Sequence, residues 1–417
     1  MMKTKSKFLS VLFVAVLVIV CYGKSEAAEP QKEVPGISGD KILIGASLPL
    51  SGPAAYAGRG TLESLIMYYD YINKEQGGVN GRQIKFIAED DGYDPGKAVQ
   101  AVRKLVTIDK VIAVAPVIGT PCIMAVRGFL NTEKIVAFNG ISGDPFIGNW
   151  PYLFGLGTPY EIQAAIGVGF IANDLGAKKA GDSIYMVIPD DAFGAPQFKG
   201  ADLAAKELGI KLTVEKVPRQ TDQFAGVAMN IKRSGARYVM AGTPRTGTAA
   251  LMREVEAQQL DVTFLGPNDV NTEAAIFDLA GKKYAEKYYG VHSISLWEDE
   301  NDPLIKWARD RFKAAGKMDV LKEKNFFYVW GLIVAKTVVE GLKRAGPDVS
   351  REKLADNLRN MENFDLGGGV APVTYKGQTL LITGTTARVS KGTVVGGVVS
   401  LKPITEQRKS PVAIKLQ

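Results

Sequence analysis

The chain has 417 residues, which exceeds the size at which a single hydrophobic core usually splits, so we expect two domains. Its formal net charge is +7 without any run of Lys or Arg, a pattern that argues against a nucleic-acid-binding protein. One histidine and two cysteines, spread along the chain, provide no metal-ligand spacing, so we expect no metal site.

The first 27 residues have the pattern of a secretory signal peptide. Three lysines lie within the first seven residues, residues 8–22 form an uncharged apolar run, and Ser25 and Ala27 place small residues before the cleavage point. Cleavage after Ala27 removes four lysines and one glutamate, which lowers the formal net charge from +7 to +4. We therefore expect a soluble protein of the periplasm.

The two cysteines carry separate expectations. Cys21 would be acylated in a lipoprotein, but Val20 stands where lipoprotein signals have a small residue, which favours soluble release over a lipid anchor at Cys21. Cys122 is then the one cysteine of the mature chain, so it has no intramolecular disulfide partner. We expect it to be a small buried apolar group.

Short apolar runs alternate with helical patterns from residue 41 onward. Asp94 and Pro95 form a typical helix start, because the carboxylate accepts from free backbone amides and proline fits the first turn. The alternation predicts an α/β fold with parallel sheets covered by helices on both faces. The predicted strands are Ile42–Ala46, Gln83–Ala88, Val111–Val117, Ile135–Phe138, Ser183–Ile188, Lys211–Val217, Arg237–Ala241 and Val262–Leu265.

The pattern changes after Ser293, where three consecutive helices are predicted. The segment from Val370 to Leu401 predicts short strands with turns at two Lys-Gly pairs. The helices span Asp302–Gly316, Asn325–Gly346 and Ser350–Glu362, and the turns fall at Lys376-Gly377 and Lys391-Gly392.

The connector between the first strand and the first helix is unusually long. It reads SLPLSGPAAYAGRG over residues 47–60, before a helix predicted to begin near Thr61, and it combines prolines, glycines and Tyr56. A plain connector in an α/β domain needs only a few residues. We therefore expect this loop to form part of a ligand-binding wall, with Tyr56 facing the ligand.

Two features admit a functional and a plainer interpretation. Gly242–Thr248 lies between a strand and a helix, as a phosphate-binding loop would, but it lacks the lysine of that motif, which favours a simple turn facing a cleft. Arg245 within it is either a donor to a ligand carboxylate or an exposed rim charge. His292 has no nucleophile motif to serve, which favours packing over catalysis. We expect neither enzymatic activity nor a cofactor.

Four segments resemble the solute-binding proteins of branched-chain amino-acid ABC transporters, the Leu/Ile/Val-binding type I periplasmic family. The resemblance implies two doubly wound parallel-sheet lobes joined by three hinge crossings, with the first lobe over 38–157 plus 293–367 and the second over 158–292 plus 368–417. The segments are IGASLPLSGPAAYAG (44–58), NKEQGGVNGRQIKFIAEDDGYDPGKAVQAVRKLV (73–106), VIPDDAFGAPQF (187–198) and FLGPNDV (264–270).

The same resemblance implies a set of ligand-binding positions in the cleft between the lobes. The carboxylate grip falls on Thr120, Ile141, Ser142 and Gly143. The aromatic positions fall beside Tyr56, on Phe193 and near Thr243. The acid that pairs with the ligand's ammonium group falls on Asn268, or on Asp269 if the loop shifts by one residue.

The implied function is a binding protein that delivers an amino acid, branched-chain or related, to an ABC permease. Because Asn268 replaces an acid and a neutral amide cannot balance a buried ammonium, a non-amino carboxylate such as an aromatic acid is the alternative. A ligand-sensing module of the same fold is a further alternative.

Overall fold

The structure is a computed structural model that describes residues 34–139, 150–177, 183–317, 324–377, 379 and 386–414. The predicted signal peptide and Cys21 lie outside these residues. No helix in the described ranges is long and apolar enough to cross a membrane.

The first sheet is parallel apart from one short strand. β2 is its hub, with β3 on one side and β4, β5 and β6 following on the other, and β1 pairs with the start of β2 in antiparallel orientation. The strands are β1 (Ile37–Ser38), β2 (Lys41–Leu48), β3 (Gln83–Asp90), β4 (Ala113–Val117), β5 (Val136–Asn139) and β6 (Leu153–Gly155).

The second sheet is parallel in one half and antiparallel in the other. Its order is β13-β12-β11-β10-β9-β7-β8, and the pairs from β8 to β11 are parallel whereas β12 to β14 add antiparallel pairs. The strands are β7 (Ser183–Pro189), β8 (Lys211–Val217), β9 (Tyr238–Ala241), β10 (Thr263–Gly266), β11 (Tyr288–His292), β12 (Thr386–Val395), β13 (Val398–Pro403) and β14 (Arg408–Lys409).

Helices cover both sheets, as the alternating sequence pattern predicts. The side chain of Asp94 accepts from the Lys97 amide at 2.8 Å, and Pro95 is the first helical residue, which confirms the predicted helix start. The helices are α1 (Ala55–Glu75), α2 (Pro95–Arg103), α3 (Thr120–Thr132), α4 (Tyr160–Asn173), α5 (Gly194–Leu208), α6 (Ala225–Ser234), α7 (Arg245–Ala257), α8 (Ile276–Ala280), α9 (Pro303–Ala314), α10 (Phe326–Ala345) and α11 (Arg351–Arg359).

Helix α10 returns late in the sequence to pack against α1. Its buried face includes Trp330, Ile333 and Val338, as the helical spacing predicts. The two helix axes approach closely at Gly331, where a Cβ atom would lie 2.1 Å from Ser64 Oγ. The core of the first sheet is therefore built from both ends of the chain.

Two sequence-based expectations about elements are wrong. Helix α1 begins at Ala55 rather than near Thr61, because Gly58 within it packs on the Pro49 carbonyl, 2.1 Å from where a Cβ would lie, instead of breaking the helix. Gly392 lies inside β12, close against the Ala285 carbonyl, and not in a turn. The sequence pattern does not predict strands β1, β6 and β11, because their short runs lack alternation.

Candidate ligand-binding site

The site is a pocket between the two sheets. Parallel strands direct their carboxyl ends toward one edge, and loops that follow them form the walls of a crevice. The cavity measures about 720 Å³ including its opening to solvent. One wall comes from the loops after β2, β3 and β4, the end of β5, and the start of α10, and the facing wall comes from the start of α4 and the loops after β7, β8, β9 and β10.

Aromatic rings dominate the described lining. The Tyr160 and Phe193 rings meet edge to face with centroids 5.2 Å apart, and the Tyr56 and Phe327 rings do so at 5.8 Å. Such pairs stabilise a rigid apolar surface. The aromatic residues that line the pocket are Tyr56, Tyr93, Tyr160, Phe193, Phe326, Phe327 and Trp330.

Two buried hydrogen-bond donors in this lining have no partner among the described residues. They are the side-chain amide of Asn139, at the end of β5, and the indole N–H of Trp330, on α10, whose residues are only 1% and 2% exposed. Leaving a buried donor unsatisfied costs about 1–3 kcal/mol. An acceptor that enters the pocket, either a water or an oxygen atom of a ligand, would remove this cost.

The start of α3 adds a third polar element to the same pocket. Gly119 has φ of +102° and lies so close to Tyr93 that a Cβ would be 2.6 Å from that ring, so only glycine fits there. Gly119 and Thr120 line the pocket at the helix N-terminus, where the helix dipole favours negative charge. Burial raises the pKa of Tyr93, and its hydroxyl stays neutral.

Comparisons with known proteins identify the family. The sequence profile described as periplasmic binding protein matches residues 41–388. The chain belongs to the periplasmic binding protein family. A Pseudomonas aeruginosa relative, named leucine-, isoleucine-, valine-, threonine- and alanine-binding protein, is 26% identical over 365 residues, which cover 86% of this chain and 90% of the relative.

Solved structures share the fold of this periplasmic binding protein. A fatty acid ABC transporter substrate-binding protein from Thermomonospora curvata has a TM-score of 0.80 at 21% identity, covering 91% of this chain and 95% of that one. A solute-binding protein from R. palustris, in complex with 4-hydroxybenzoate, has a TM-score of 0.76 at 18% identity, covering 89% and 98%. The type I periplasmic binding fold expected from the resemblance is confirmed.

The periplasmic binding protein brings three of the expected ligand residues together. Tyr56, Thr120 and Phe193 all line the pocket, from the first turn of α1, the start of α3 and the loop after β7. Their contact with a ligand stays a prediction. Ile141, Ser142 and Gly143 lie outside the described residues.

The two residues expected at the ammonium position do not line the pocket. Asp269 is buried, and its carboxylate accepts from the Ser293 and Ile294 amides at 2.8 and 2.9 Å and from Gln163 at 2.6 Å. Burial raises its pKa to about 6. Asn268 is also buried and caps the following turn through the Val270 amide. Asp269 therefore links the segment at Ser293 to α4 and does not line the described pocket.

The loop after β9 likewise turns the expected side chains away from the cavity. Thr243 lies under α7, with its hydroxyl 3.1 Å from that of Thr248, while Pro244 and Thr246 line the pocket. Arg245 stacks on the Tyr56 ring, with Cζ 3.8 Å from the ring centroid, and its Nε lies 3.3 Å from Glu273 Oε1. Arg245 is therefore not an exposed rim charge, and it is not among the residues that line the described pocket, so its contact with a ligand stays a prediction.

Sequence reasoning missed Trp330, Asn139 as an unpaired donor, and Glu273. Trp330 falls on the apolar stripe of α10, so its spacing predicts core packing and carries no sign of a pocket. Glu273 belongs to no periodic pattern, and only the folded chain places it beside Arg245. In the described ranges, no group of three or more metal-ligating side chains occurs.

Proposed function

We propose that the protein is the extracytoplasmic solute-binding component of an ABC importer, which closes on one small molecule in this pocket and delivers it to a permease. Family membership, the signal-peptide pattern and a pocket walled by both sheets support the proposal. Hinge closure around a ligand is the usual working motion of such two-lobed proteins. The protein catalyses no reaction in this account.

We further propose that the ligand is a small carboxylate with an apolar, preferably aromatic, body and no ammonium group. The polar side chains that line the pocket support this choice of ligand. Asn139 and Trp330 offer unpaired donors, and none of the described lining residues is acidic. Donors match a carboxylate, whereas a buried ammonium without a counter-charge costs several kcal/mol.

An amino-acid ligand is the second candidate. The Pseudomonas aeruginosa relative is named for binding leucine, isoleucine, valine, threonine and alanine, and it matches most of this chain. The aromatic lining also suits the side chain of such a ligand. The two candidates differ in one group only, the α-ammonium, so one comparison separates them.

Calorimetry on the mature chain with matched pairs makes that comparison. The pairs are leucine against 4-methylpentanoate and phenylalanine against 3-phenylpropionate, which differ only by the ammonium group. We expect the acid of at least one pair to bind about tenfold or more tightly than its amino acid. Tighter binding of the amino acids would reject the proposed ligand class and favour the second candidate.

A further inference from the structure

A cluster of three side chains joins the two walls beside the ligand pocket. Tyr56 comes from α1 over the first sheet, while Arg245 begins α7 and Glu273 follows β10, both on the second sheet. The Tyr56 hydroxyl accepts from the Arg245 backbone N–H at 3.3 Å, and the Arg245 guanidinium stacks on the Tyr56 ring. The cluster therefore exists only while the two walls are in contact.

Glu273 is the buried carboxylate of this cluster. It is 5% exposed, and neither of its carboxylate oxygens has a hydrogen bond to a described residue, although Arg245 Nε lies 3.3 Å away. The first-sheet side covers it with Tyr56 and with Phe326, at the start of α10. Separating the walls would remove Tyr56 and Phe326 and admit water to the carboxylate.

We propose that Arg245 and Glu273 are positioning residues that hold Tyr56 against the ligand, and that closure of the cleft is coupled to the uptake of one proton by Glu273. The inference rests on the proposed closure around a ligand. It adds a pH dependence to that closure and identifies the side chains that produce it.

The charges around Glu273 determine whether low or high pH favours closure of the cleft. Burial raises its pKa to about 7 and the neighbouring Glu298 charge adds to the rise, whereas the Arg245 charge and the nearby Phe326 backbone N–H, which does not reach hydrogen-bonding geometry, oppose it. Tyr56 and Tyr288, whose own pKa values burial raises, face it as neutral groups. A group with a higher pKa in the closed form binds its proton on closing, so acid favours closure.

The same linkage between proton binding and closure predicts how strongly the closed-to-open ratio depends on pH. If water exposure returns Glu273 to its ordinary range in the open form, the ratio of closed to open molecules rises about tenfold between pH 8 and pH 6. Glu273→Gln replaces the carboxyl by a neutral group of the same shape. That variant closes equally well at both pH values.

Spin-label distances on the mature chain without ligand test the inference. Labels at Ser51→Cys and Gln223→Cys lie on exposed loops whose neighbours Pro53 and Gln220 line opposite walls of the pocket, and buried Cys122 stays in place. We expect the short-distance population to grow from pH 8 to pH 6 in the parent chain and to be constant in Glu273→Gln.

Two further variants test whether Glu273 is the group that takes up the proton. Glu298→Gln, the same substitution at the neighbouring acid, keeps the pH dependence but moves the transition to lower pH, because it removes a like charge. Arg245→Met removes the counter-charge, so the transition moves to higher pH. A pH-independent parent chain, a Glu273→Gln variant that responds like the parent, or an unmoved transition in Arg245→Met would overturn the inference. Because no ligand is present, such a result is separate from the matched-pair comparison.

Discussion

Trp330 serves the core and the pocket at the same time. Its ring lies in the buried face of α10, and its indole N–H is an unpaired donor in the pocket lining. Trp330→Phe keeps an aromatic ring and removes the donor. We expect carboxylate affinity to fall about tenfold or more, because a hydrogen bond to a charged group contributes about 1.5–3 kcal/mol. The Kd from calorimetry measures this loss.

The matched control is Trp307→Phe. Trp307 lies on α9, where it packs edge to face against Tyr68 and Tyr71 and does not line the pocket. The control variant should keep the parent affinity. An unchanged Kd in Trp330→Phe, or an equal loss in both variants, would contradict a direct role for the Trp330 indole.

His292 is a buried neutral group at the end of β11. Its Nδ1 lies 2.9 Å from the Ile294 carbonyl, which can only accept, so Nδ1 carries the proton and Nε2 accepts from the Ser390 hydroxyl, also at 2.9 Å. Burial, assisted by the Arg388 charge, lowers its pKa to about 4. The sequence-based expectation of a packing role agrees with these contacts.

The lowered pKa predicts a loss of stability in acid. The unfolded chain binds a proton at His292 below about pH 6.5, whereas the folded chain does so only near pH 4, so stability falls as the pH drops through this window. The contribution is about 3 kcal/mol. Urea unfolding of the parent and His292→Gln at pH 7 and pH 4.5 measures it. An identical pH dependence in both chains would exclude this role for His292.

At the level of elements, the contact between α1 and α10 depends on a missing side chain. A Cβ at Gly331 would lie 2.1 Å from Ser64 Oγ and 3.1 Å from the Thr61 carbonyl oxygen. We expect Gly331→Ala to lower the free energy of unfolding by about 1–3 kcal/mol, because inserting a methyl group into a packed core displaces its neighbours. Denaturant unfolding monitored by circular dichroism provides the measurement.

Gly128→Ala is the comparison within the same chain. Gly128 lies in α3 with no atom within 4 Å of its Cβ position, so the same substitution should raise the free energy of unfolding by about 0.5–1 kcal/mol. A decrease in the free energy of unfolding for Gly331→Ala, together with an increase for Gly128→Ala, would show that close packing at Gly331 causes the loss. Stabilisation at both positions would show that α1 and α10 are not closely packed there.

Helices and strands are predictable from the sequence where the spacing of hydrophobic residues agrees with residues that are typical of helix or strand ends. Asp94 and Pro95 place the start of α2, and the buried stripe of α10 follows from its helical period. Glycine was the source of error. Gly58 and Gly392 serve close packing inside regular elements, and a sequence does not show which glycines contact a distant backbone.

At the scale of the whole molecule, the sequence predicts the part of the pocket that is built from loops at strand ends. Tyr56, Thr120 and Phe193 lie in loops at strand ends, and the topology of parallel sheets brings such loops together. Trp330 comes from a helix far along the chain, and Asp269 has the expected chemistry but turns its carboxylate to Ser293 and Ile294. The orientation of a side chain depends on its long-range hydrogen bonds, and the local sequence pattern does not specify those bonds.

Small-angle X-ray scattering of the mature chain, with and without saturating ligand, tests whether the pocket closes on its ligand. The ligand is whichever compound of the two matched pairs binds most tightly. Closure of the pocket on one carboxylate predicts a smaller radius of gyration in the bound state, because the walls that carry Tyr56 and Arg245 come into contact. An unchanged radius at saturation would contradict closure between the two sheets as the mode of binding.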